Sequence, residues 1–554
     1  MTGFNLLEEP WLPVRTRADG RLVKVGLAEV LLRAEEFSDV VGDVPTQVPA
    51  LLRQVLLPVM ADALGLPATR AEWARRFAAK GFTAEERAVL QKYFAAHRNR
   101  FDVFDEVRPF GQAAGLRTAK DETKSTALMV VTTASGNNVP LFSARSDADA
   151  YPLAVDEAVR WLLHVQCWDT AQFKSGAADD PKAKQGKTTG NPTGPLGQLG
   201  VLVPVGASLY DTLLLNTPIL PSAQVGIPQW RREPLTAEWE SRPADGLLDL
   251  WTWQSRRVRL IPEDTVDGVR VLRIVLTAGD RLSVLPEYEP HTAWKLDKKA
   301  GPVRRPRRHT PDKAIWRGMQ ALLAVEQNAR EQEETSELLE QLAGLQADEQ
   351  VSEDYPLRLE SFGAVYGTQS SVVEDLLHDA IPLPISALDR EDPAYELVVE
   401  ATQQAELLEQ AINGLSATLR RALRAEPIPW DKGSRPGARV LHALDPLVRR
   451  MLAGVQAAGG DADTVARGHL AWELKAWQST RQVADQLVRA AGPGTFRGRE
   501  IEVGTSGKTN FSLGTAVGRF RRRLAEALPR AAEHHRQAAA RRGESEHEQE
   551  EELA

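Results

Sequence analysis

From about Pro393 onward, the sequence changes to long stretches in which apolar residues recur every three or four positions. In the first stretch these residues are Leu397, Ala401, Ala405, Leu408, Ile412, Leu415, Leu419 and Leu423. This spacing places the side chains on one face of a helix that must pack against a partner layer. Comparable stretches cover residues 393–424, 438–458, 463–490 and 511–535. The pattern predicts an antiparallel four-helix bundle over residues 386–540, followed by a disordered acidic tail over the glutamate-rich residues 541–554.

The first 385 residues mix helix and strand patterns. Helical spacing of apolar residues runs from Val48 to Leu64, and Pro58 is expected to kink that helix. Residues 201–203 and 270–276 are short apolar runs of the kind that form strands. We therefore expect a mixed α/β domain before the bundle.

Two long loops are expected in this first domain, at residues 174–200 and 292–310, where glycine and proline punctuate polar sequence. A chain of 554 residues is also too long for a single hydrophobic core. The predicted fold class is therefore α+β: a large mixed α/β N-terminal domain with long loops over residues 1–385, followed by the helical bundle.

The overall composition restricts the class of protein. A net charge of −8 argues against a free-standing, non-specific DNA-coating protein, although a subunit whose partners neutralise phosphates can stay acidic. The single cysteine, Cys167, permits no disulfide within the chain and no usual structural zinc site. The N-terminus lacks a signal-peptide pattern, and no apolar stretch is long enough to span a bilayer. We expect a cytoplasmic protein with no membrane partner.

The search for catalytic motifs is negative. Gly186-Lys187-Thr188 invites a phosphate-binding-loop interpretation, but that motif needs a glycine where this chain has Pro181. The pair His378-Asp379 lacks further ligands at usable spacing, and the pattern places it on the surface of a helix. No metal site, no cofactor and no enzymatic activity are predicted.

Two basic segments stand out in the first domain. The segment 295–309 carries Lys295, Lys298, Lys299, Arg304, Arg305, Arg307 and Arg308 against a single acid, Asp297. The loop 174–200 combines Lys174, Lys182, Lys184 and Lys187 with several glycines. Such clusters are candidates for phosphate contacts, and glycine allows close backbone approach to a ligand. A solvated linker and an ordinary flexible loop are the alternative interpretations, and both stay open.

Short sequence fragments in a fixed order point to one family. They are FNLLEEPWLPV at residues 4–14, GLAEVL at 26–31, PTQ at 45–47, RFD at 100–102, RPFGQ at 108–112, GNN at 136–138, FKSG at 173–176, TLLLN at 212–216 and EPHTAW at 289–294. Together they resemble the CasA family, the large subunits of the type I-E CRISPR surveillance complex, Cascade. The bundle matches the family's C-terminal domain by architecture more than by motif.

The resemblance implies a site for double-stranded DNA. CasA proteins recognise the protospacer-adjacent motif, mostly from the minor groove, and insert a glutamine as a wedge that starts strand separation. The matching stretch is residues 363–371, which makes Gln369 the wedge candidate, flanked by Gly367, Thr368 and Ser370. Further DNA contacts are then expected from a glycine-rich loop comprising Lys184, Gln185, Gly186 and Lys187. Arg281 is the basic residue nearest in position to the family's lysine finger, and the basic phosphate contacts would be Lys298, Lys299, Arg304 and Arg305.

The resemblance also implies partners. A loop within residues 116–145 should contact the guide CRISPR RNA and a neighbouring subunit, with Asn137, Asn138 and Phe142 as its candidate residues. Other Cascade subunits and a helicase-nuclease recruited after R-loop formation are the expected protein partners. Two alternatives stay open: a nucleotide hydrolase built on Gly186-Lys187-Thr188, and a protein scaffold that never touches DNA.

Overall fold

The computed structural model describes residues 3–133, 150–178, 180–286, 288–297, 303–311, 313–323, 331–429, 435–502 and 508–552. The chain divides into two compact units. The first comprises Met1–Ile315, Gln320–Val351 and Leu357–Ala380, and the second comprises Trp316–Met319, Ser352–Pro356 and Ile381–Ala554. The sequence places the corresponding boundary between residues 385 and 386. Among the residues described, no helix is both long and apolar enough to cross a membrane.

The first unit mixes helices with several small sheets. Its helices are Leu27–Leu32, Gln47–Leu51, Leu57–Leu64, Arg70–Ala78, Ala84–His97, Val155–Trp168, Pro195–Leu199, Leu209–Leu215, Leu247–Trp251 and Glu337–Ala347. The helix Val155–Trp168 is buried on all its faces except at Glu157. A helix that is buried all round forms the interior of a large domain. It therefore lies in the interior of this unit, where it packs against the helices Gln47–Leu51 and Pro195–Leu199 and against the hairpin of Arg256–Thr265 and Gly268–Ala278.

The predicted helix from Val48 to Leu64 is present, with a wider π-helical turn at Leu52–Leu56 between its two α-helical parts. Pro58 explains this irregularity, because it lacks the N–H that a regular α-helix would use. The π-helical turn buries Arg53, which donates hydrogen bonds of 2.6 and 2.7 Å to the carboxylate of Glu289. The EPHTAW fragment thus has a structural role.

The strands of the first unit form five small sheets within the described residues. One contains Leu22–Val25, Leu12–Thr16 and Phe37–Val40 in that order, and another pairs Ser241–Arg242 with Arg281–Leu282. The largest is built on the hairpin of Arg256–Thr265 and Gly268–Ala278, to which Lys124–Ser125, Leu153–Ala154, Lys174–Ser175 and Lys187–Thr188 add. The others are Val303–Pro306, Trp294–Asp297 and Glu331–Glu334, and Val373–Pro382, Arg358–Tyr366 and Val201–Val205. The two strands expected around residues 201–203 and 270–276 are confirmed.

Three sequence predictions in this unit need correction. Both expected long loops contain short strands that pair within the loop, and a distant strand adds to each pair. The His378-Asp379 pair lies on the strand Val373–Pro382 and not on a helix. There the His378 ring stacks on Phe362, with 4.7 Å between ring centroids. Pairing with a neighbouring strand determines the secondary structure of such segments, and this pairing cannot be recognised from local apolar spacing.

The second unit is mainly helical. Its helices are Pro393–Ala422, Gly437–Ala458, Ala462–Arg489, Gly494–Arg497, Leu513–Ala527 and Pro529–Glu552, and its strands are Arg499–Glu502 and Lys508–Phe511. The short helix Met319–Leu322 begins in this unit's residues and ends in those of the first unit. Seven of the eight predicted seam residues lie on the first long helix and are buried, and Leu423, which follows the end of that helix, is exposed. This helix packs against the helices Gly437–Ala458, Ala462–Arg489 and Leu513–Ala527.

The fourth predicted helix, residues 511–535, is wrong as a single element. Phe511 ends a strand, Ser512 caps the helix Leu513–Ala527, and Pro529 begins a new helix. Proline is tolerated in the first turn of a helix but interrupts a helix interior, which explains the break. The last helix continues to Glu552, so it is helical where a disordered tail was predicted; glutamate, glutamine and arginine all have good helix propensity. The antiparallel order of a four-helix bundle stays a prediction.

Candidate nucleic-acid interface

The predicted wedge lies at the turn of a hairpin. We call this element the tip hairpin: the strands Arg358–Tyr366 and Val373–Pro382 with the turn at residues 367–372 between them. Thr368 and Gln369 are exposed at its end. Gln369 and Ser370 both adopt left-handed backbone conformations, with φ of 55° and 53°. Non-glycine residues rarely adopt this conformation, so two in succession indicate a turn that its surroundings hold in place.

Hydrogen bonds fix the turn internally. The N–H of Gly367 donates to the carbonyl of Val372 at 3.0 Å, and the N–H of Ser370 donates to the carbonyl of Gly367 at 2.8 Å. A Cβ at Gly367 would lie 2.5 Å from the Glu374 carboxylate and 2.7 Å from the Val372 side chain, so a larger residue would force these side chains to move. Gln369 is therefore presented on a closed turn.

The tip hairpin is also attached to the segment that follows the central helix. The N–H of Ala171 donates to the carbonyl of Ser370 at 2.8 Å, so the attachment is one residue from Gln369. The Tyr366 hydroxyl donates to the carbonyl of Trp168 at 2.8 Å. These two bonds connect the turn to the interior of the unit, and the exposed glutamine consequently has a rigid base.

A buried ionic network supports the same segment. Lys174 is 5% exposed, and its Nζ lies 2.5 Å from the Asp169 carboxylate, which also accepts a hydrogen bond from Arg256. Arg256 further donates to the carbonyls of Thr170 and Pro192, at 2.9 and 2.8 Å. One guanidinium therefore joins two stretches of loop. Lys174, which the sequence groups with the loop lysines, is a structural residue.

The electrostatics of this network follow from its burial. Burial acts to raise the pKa of Asp169, but the charges of Lys174 and Arg256 outweigh it and lower the pKa to about 2. Burial lowers the pKa of Lys174 to about 8, with the nearby Asp169 acting in the opposite direction. Asp169 thus carries its charge across the whole neutral range and holds both cations.

The four loop residues Lys184, Gln185, Gly186 and Lys187 form a tight β-turn, which we call the lysine turn. Backbone bonds between Lys184 and Lys187 close it in both directions, at 2.8 and 3.0 Å. Gln185 and Gly186 have φ of 51° and 71°, as in the turns that suit two-stranded hairpins. Lys184, Gln185 and Lys187 are exposed. The turn therefore presents two ammonium groups at the end of a short hairpin.

The lysine turn does not have the geometry of a nucleotide-binding loop. Such a loop follows a buried strand and leads into a helix whose first N–H groups surround the phosphates. Here Lys187–Thr188 is a strand paired with Lys174–Ser175, and the carbonyl of Gly186 accepts a bond from the N–H of Gly176. The backbone of this segment is occupied by its own hairpin.

Arg281 supports the chain just beyond the lysine turn. Its Nη2 donates to the carbonyl of Thr189 at 2.7 Å and to the side chain of Asn191 at 3.1 Å. The guanidinium also lies 3.8 Å from the ring centroid of Trp239. Burial lowers the pKa of Arg281, as expected for a cation that is partly withdrawn from water. The structure thus places Arg281 next to the predicted DNA loop as a positioning residue.

The second basic segment is organised differently. Its strands Trp294–Asp297 and Val303–Pro306 form a sheet with the acidic strand Glu331–Glu334, and we call this the basic sheet. Arg304 lies 3.2 Å from Glu334 and stacks on the ring of Trp294, 4.0 Å from its centroid. Arg305 is exposed and faces Lys295 across the ladder. Lys298 and Lys299 lie outside the described residues, as do Asn137, Asn138 and Phe142 of the predicted RNA loop.

The comparison with known families decides the identity of the chain. A family model described as CRISPR-associated protein Cse1 matches residues 5–484, which is most of the sequence. The chain belongs to the Cse1 family. The resemblance to CasA inferred from the sequence is thereby confirmed, because CasA and Cse1 name the same family in its relatives.

Individual Cse1 relatives match over nearly their whole length. The CRISPR-associated protein CasA/Cse1 of Thermus thermophilus is 28% identical over 511 residues, which are 86% of this chain and 92% of that protein. The crystal structure of Thermobifida fusca Cse1 is 31% identical with a TM-score of 0.80, covering 96% of this chain and 99% of that one. A structure described as a CRISPR RNA-guided surveillance complex contains a chain of the same fold, with a TM-score of 0.65, 22% identity and coverage of 88% and 100%.

In this member of the Cse1 family, the predicted wedge, the lysine turn and Arg281 belong to connected parts of the first unit. The structure attaches the Gln369 turn to the segment at residues 169–175, which continues into the lysine turn, with Arg281 beside it. Sequence reasoning missed the buried partners Asp169 and Arg256. A usable signal was the Arg256-Arg257 pair shortly after the apolar segment 247–253, because charges beside such a segment need partners when they are buried.

One cluster in the second unit has metal-ligand chemistry. Glu400, His469 and Glu473 bring their ligand atoms within 4.8 Å of one another. The guanidinium of Arg530, however, donates to both carboxylates, at 2.9 Å to Glu400 and 3.1 Å to Glu473. Glu473 also accepts from Gln404 and from the N–H of Ala531. The negative charge is thus already balanced by an internal cation, as in a buried ion-pair network.

Proposed function

We propose that this chain is the non-catalytic large subunit of a type I-E Cascade complex. In that role it recognises the protospacer-adjacent motif in double-stranded DNA and starts strand separation with Gln369. The observation that carries the proposal is the exposed Gln369 on a closed, left-handed turn attached to the interior by the Ala171–Ser370 hydrogen bond.

The physical requirement for a wedge is rigidity. Inserting a side chain between base steps costs a few kcal/mol for each step that is unstacked. A flexible loop would fold away from the stack, whereas a turn that is closed by backbone hydrogen bonds and attached to the interior keeps its side chain in place. The carboxamide of glutamine can both donate and accept hydrogen bonds, which suits the mixed donor and acceptor pattern of the minor groove.

The lysine turn supplies the electrostatic part of the proposal. Lys184 and Lys187 are exposed on a hairpin that begins directly after the segment bonded to the Gln369 turn. Ammonium groups that neutralise phosphates release condensed counterions and make binding dependent on salt. An acidic subunit with such a local basic turn can contact DNA while its partners neutralise most of the charge.

The partners follow from the family. A chain of this fold occurs in a structure described as a CRISPR RNA-guided surveillance complex. This supports guide CRISPR RNA and the other Cascade subunits as partners, and we extend the proposal to a helicase-nuclease that docks after R-loop formation. The paired backbone of Gly186-Lys187-Thr188 supports a subunit without nucleotide hydrolysis.

The test is Gln369→Ala in the reconstituted complex with guide RNA. We expect normal assembly but at least tenfold slower R-loop formation on a linear duplex target. The measurement is the permanganate reactivity of the displaced strand. A tenfold effect corresponds to a loss of about 1.4 kcal/mol in the opening step. Gln91→Ala, at an exposed glutamine on the helix Ala84–His97, is the matched control. Unchanged R-loop formation by Gln369→Ala would contradict the wedge and favour a scaffold without DNA contact.

A further inference from the structure

Phe173 presents an aromatic ring to solvent beside the tip hairpin. Its side chain is 69% exposed, although phenylalanine is among the residues most often found in the interior. A single exposed apolar residue is common on protein surfaces and proves nothing alone. Here the position matters, because Phe173 comes two residues after Ala171, whose N–H is bonded to Ser370 of the wedge turn.

The backbone on both sides of Phe173 is held. The next residue, Lys174, is buried in the ion pair with Asp169, at 2.5 Å. The preceding residue, Gln172, accepts a hydrogen bond on its carbonyl from the side chain of Asn191 at 3.1 Å. The ring is therefore attached to a stretch of backbone that is fixed on both sides. An exposed aromatic ring on a fixed backbone is suited to stacking.

The surroundings of Phe173 indicate the chemistry of its partner. On one side lies the turn that carries Gln369, and on the other lies the short hairpin ending in Lys184 and Lys187. An aromatic ring combined with neighbouring cations is the arrangement by which proteins bind single-stranded nucleic acid, because every base has a π-face and every nucleotide a phosphate.

We propose that Phe173 stacks on the nucleotide base that becomes unpaired when Gln369 enters the duplex. This inference rests on the proposed function. Stacking offsets part of the cost of separating the first base pair, since base–aromatic contacts stabilise any base without reading its identity. Gln369 would open the pair, and Phe173 would keep it open.

The experiment uses the reconstituted complex and a duplex target matched to the guide, with 2-aminopurine in place of the first base beyond the motif. In the wild-type complex, stacking on the ring should quench the fluorescence of the unpaired base. Phe173→Ala should leave it bright and weaken binding of the target by roughly tenfold, while Phe173→Trp should keep both quenching and affinity. Phe173→Leu separates the effects, because it keeps an apolar side chain but removes the π-face. Phe496→Ala, at another exposed phenylalanine with 73% exposure, is the control.

A second target distinguishes this inference from the wedge proposal. In a duplex whose first pairs beyond the motif are mismatched, no opening is needed, so Gln369→Ala should regain wild-type affinity while Phe173→Ala should stay weakened. Wild-type quenching and affinity in Phe173→Ala would overturn the stacking inference and leave the wedge unaffected. Reduced incorporation of the Phe173→Ala subunit into the complex would instead assign the ring to a protein interface, and equal affinity of Phe173→Leu and wild type would exclude stacking.

Discussion

Lys184 and Lys187 of the lysine turn and Arg304 of the basic sheet are basic residues in opposite settings. In the lysine turn, Lys184 and Lys187 are exposed on a tight hairpin turn. In the basic sheet, Arg304 lies against Glu334 and over the ring of Trp294. The segment of the basic sheet has the higher density of positive charge in the sequence, yet the guanidinium of Arg304 already has Glu334 and Trp294 as partners within the protein. The difference teaches that a candidate phosphate site depends on where charges are left exposed, and a count of lysines and arginines does not show this.

The largest effect is expected from the buried network beneath the lysine turn. Asp169→Asn keeps the shape of the side chain but leaves Lys174 and Arg256 as buried cations without a counter-charge. Breaking a buried ion pair in this way destabilises a protein by about 3–5 kcal/mol. The measurement is the free energy of unfolding of the isolated chain in urea, with Asp485→Asn at an exposed site as control.

Asp169→Asn should also change how the free energy of unfolding depends on pH in acid. The pKa of Asp169 is about 2 in the folded protein, below its ordinary value of 3.8. Its stabilisation is therefore complete above pH 4 and is lost as the pH falls towards 2, by about 2 kcal/mol. In Asp169→Asn, the free energy of unfolding should fall less between pH 4 and pH 2 than it does in the wild-type protein. An unfolding free energy within about 1 kcal/mol of wild type, with the same dependence on pH below 4, would show that the network does not hold the loops at Thr170 and Pro192 in place. The lysine turn would then have no better structural support than the basic sheet.

Much of the fold followed from local patterns, and the site did so only in part. The seam from Leu397 to Leu419 was predictable because helical spacing is a local signal, and so was the helix around Pro58. The break at Pro529 was missed because apolar spacing continued across it, and the strand Lys508–Phe511 was missed because its partner strand is Arg499–Glu502 and its own sequence is mostly polar. The strands Lys174–Ser175 and Lys187–Thr188 are only two residues long, and they exist because Thr277 of a distant strand pairs with Ser175.

For the site, Gln369 was located by resemblance, and its left-handed turn could not be foreseen because two non-glycine residues occupy it. The sequence placed Lys184 and Lys187 in a loop, and the structure places them on a hairpin turn with both side chains exposed. Their difference from Lys174 was not visible, because burial of that lysine depends on Asp169 and Arg256 from separate elements. Tertiary partners thus decide which members of a basic cluster face solvent.

An intermediate effect is expected from the lysine turn itself. Replacing both Lys184 and Lys187 by alanine should weaken target binding by the assembled complex and lower the slope of log affinity against log salt by about 1.8, since each phosphate contact contributes about 0.9. Stability should not change, because both side chains are exposed. The measurement is target affinity over a range of salt concentrations, with Lys92→Ala on the exposed face of the helix Ala84–His97 as control. An unchanged slope would place the turn away from the phosphates.

The smallest effect is expected from the basic sheet. Arg304→Ala removes a guanidinium whose side chain is 30% exposed and whose acid partner, Glu334, is 37% exposed. Because both groups are still partly solvated, the loss of the ion pair and of the contact with Trp294 should cost about 1 kcal/mol of stability. The salt dependence of DNA binding should stay at the wild-type slope. Arg304→Lys keeps the charge but loses the planar stacking, so it should lower stability to an intermediate value. A slope reduced by about 0.9 in Arg304→Ala and restored in Arg304→Lys would show that Arg304 leaves Glu334 to contact a phosphate, and the two basic regions would then act alike.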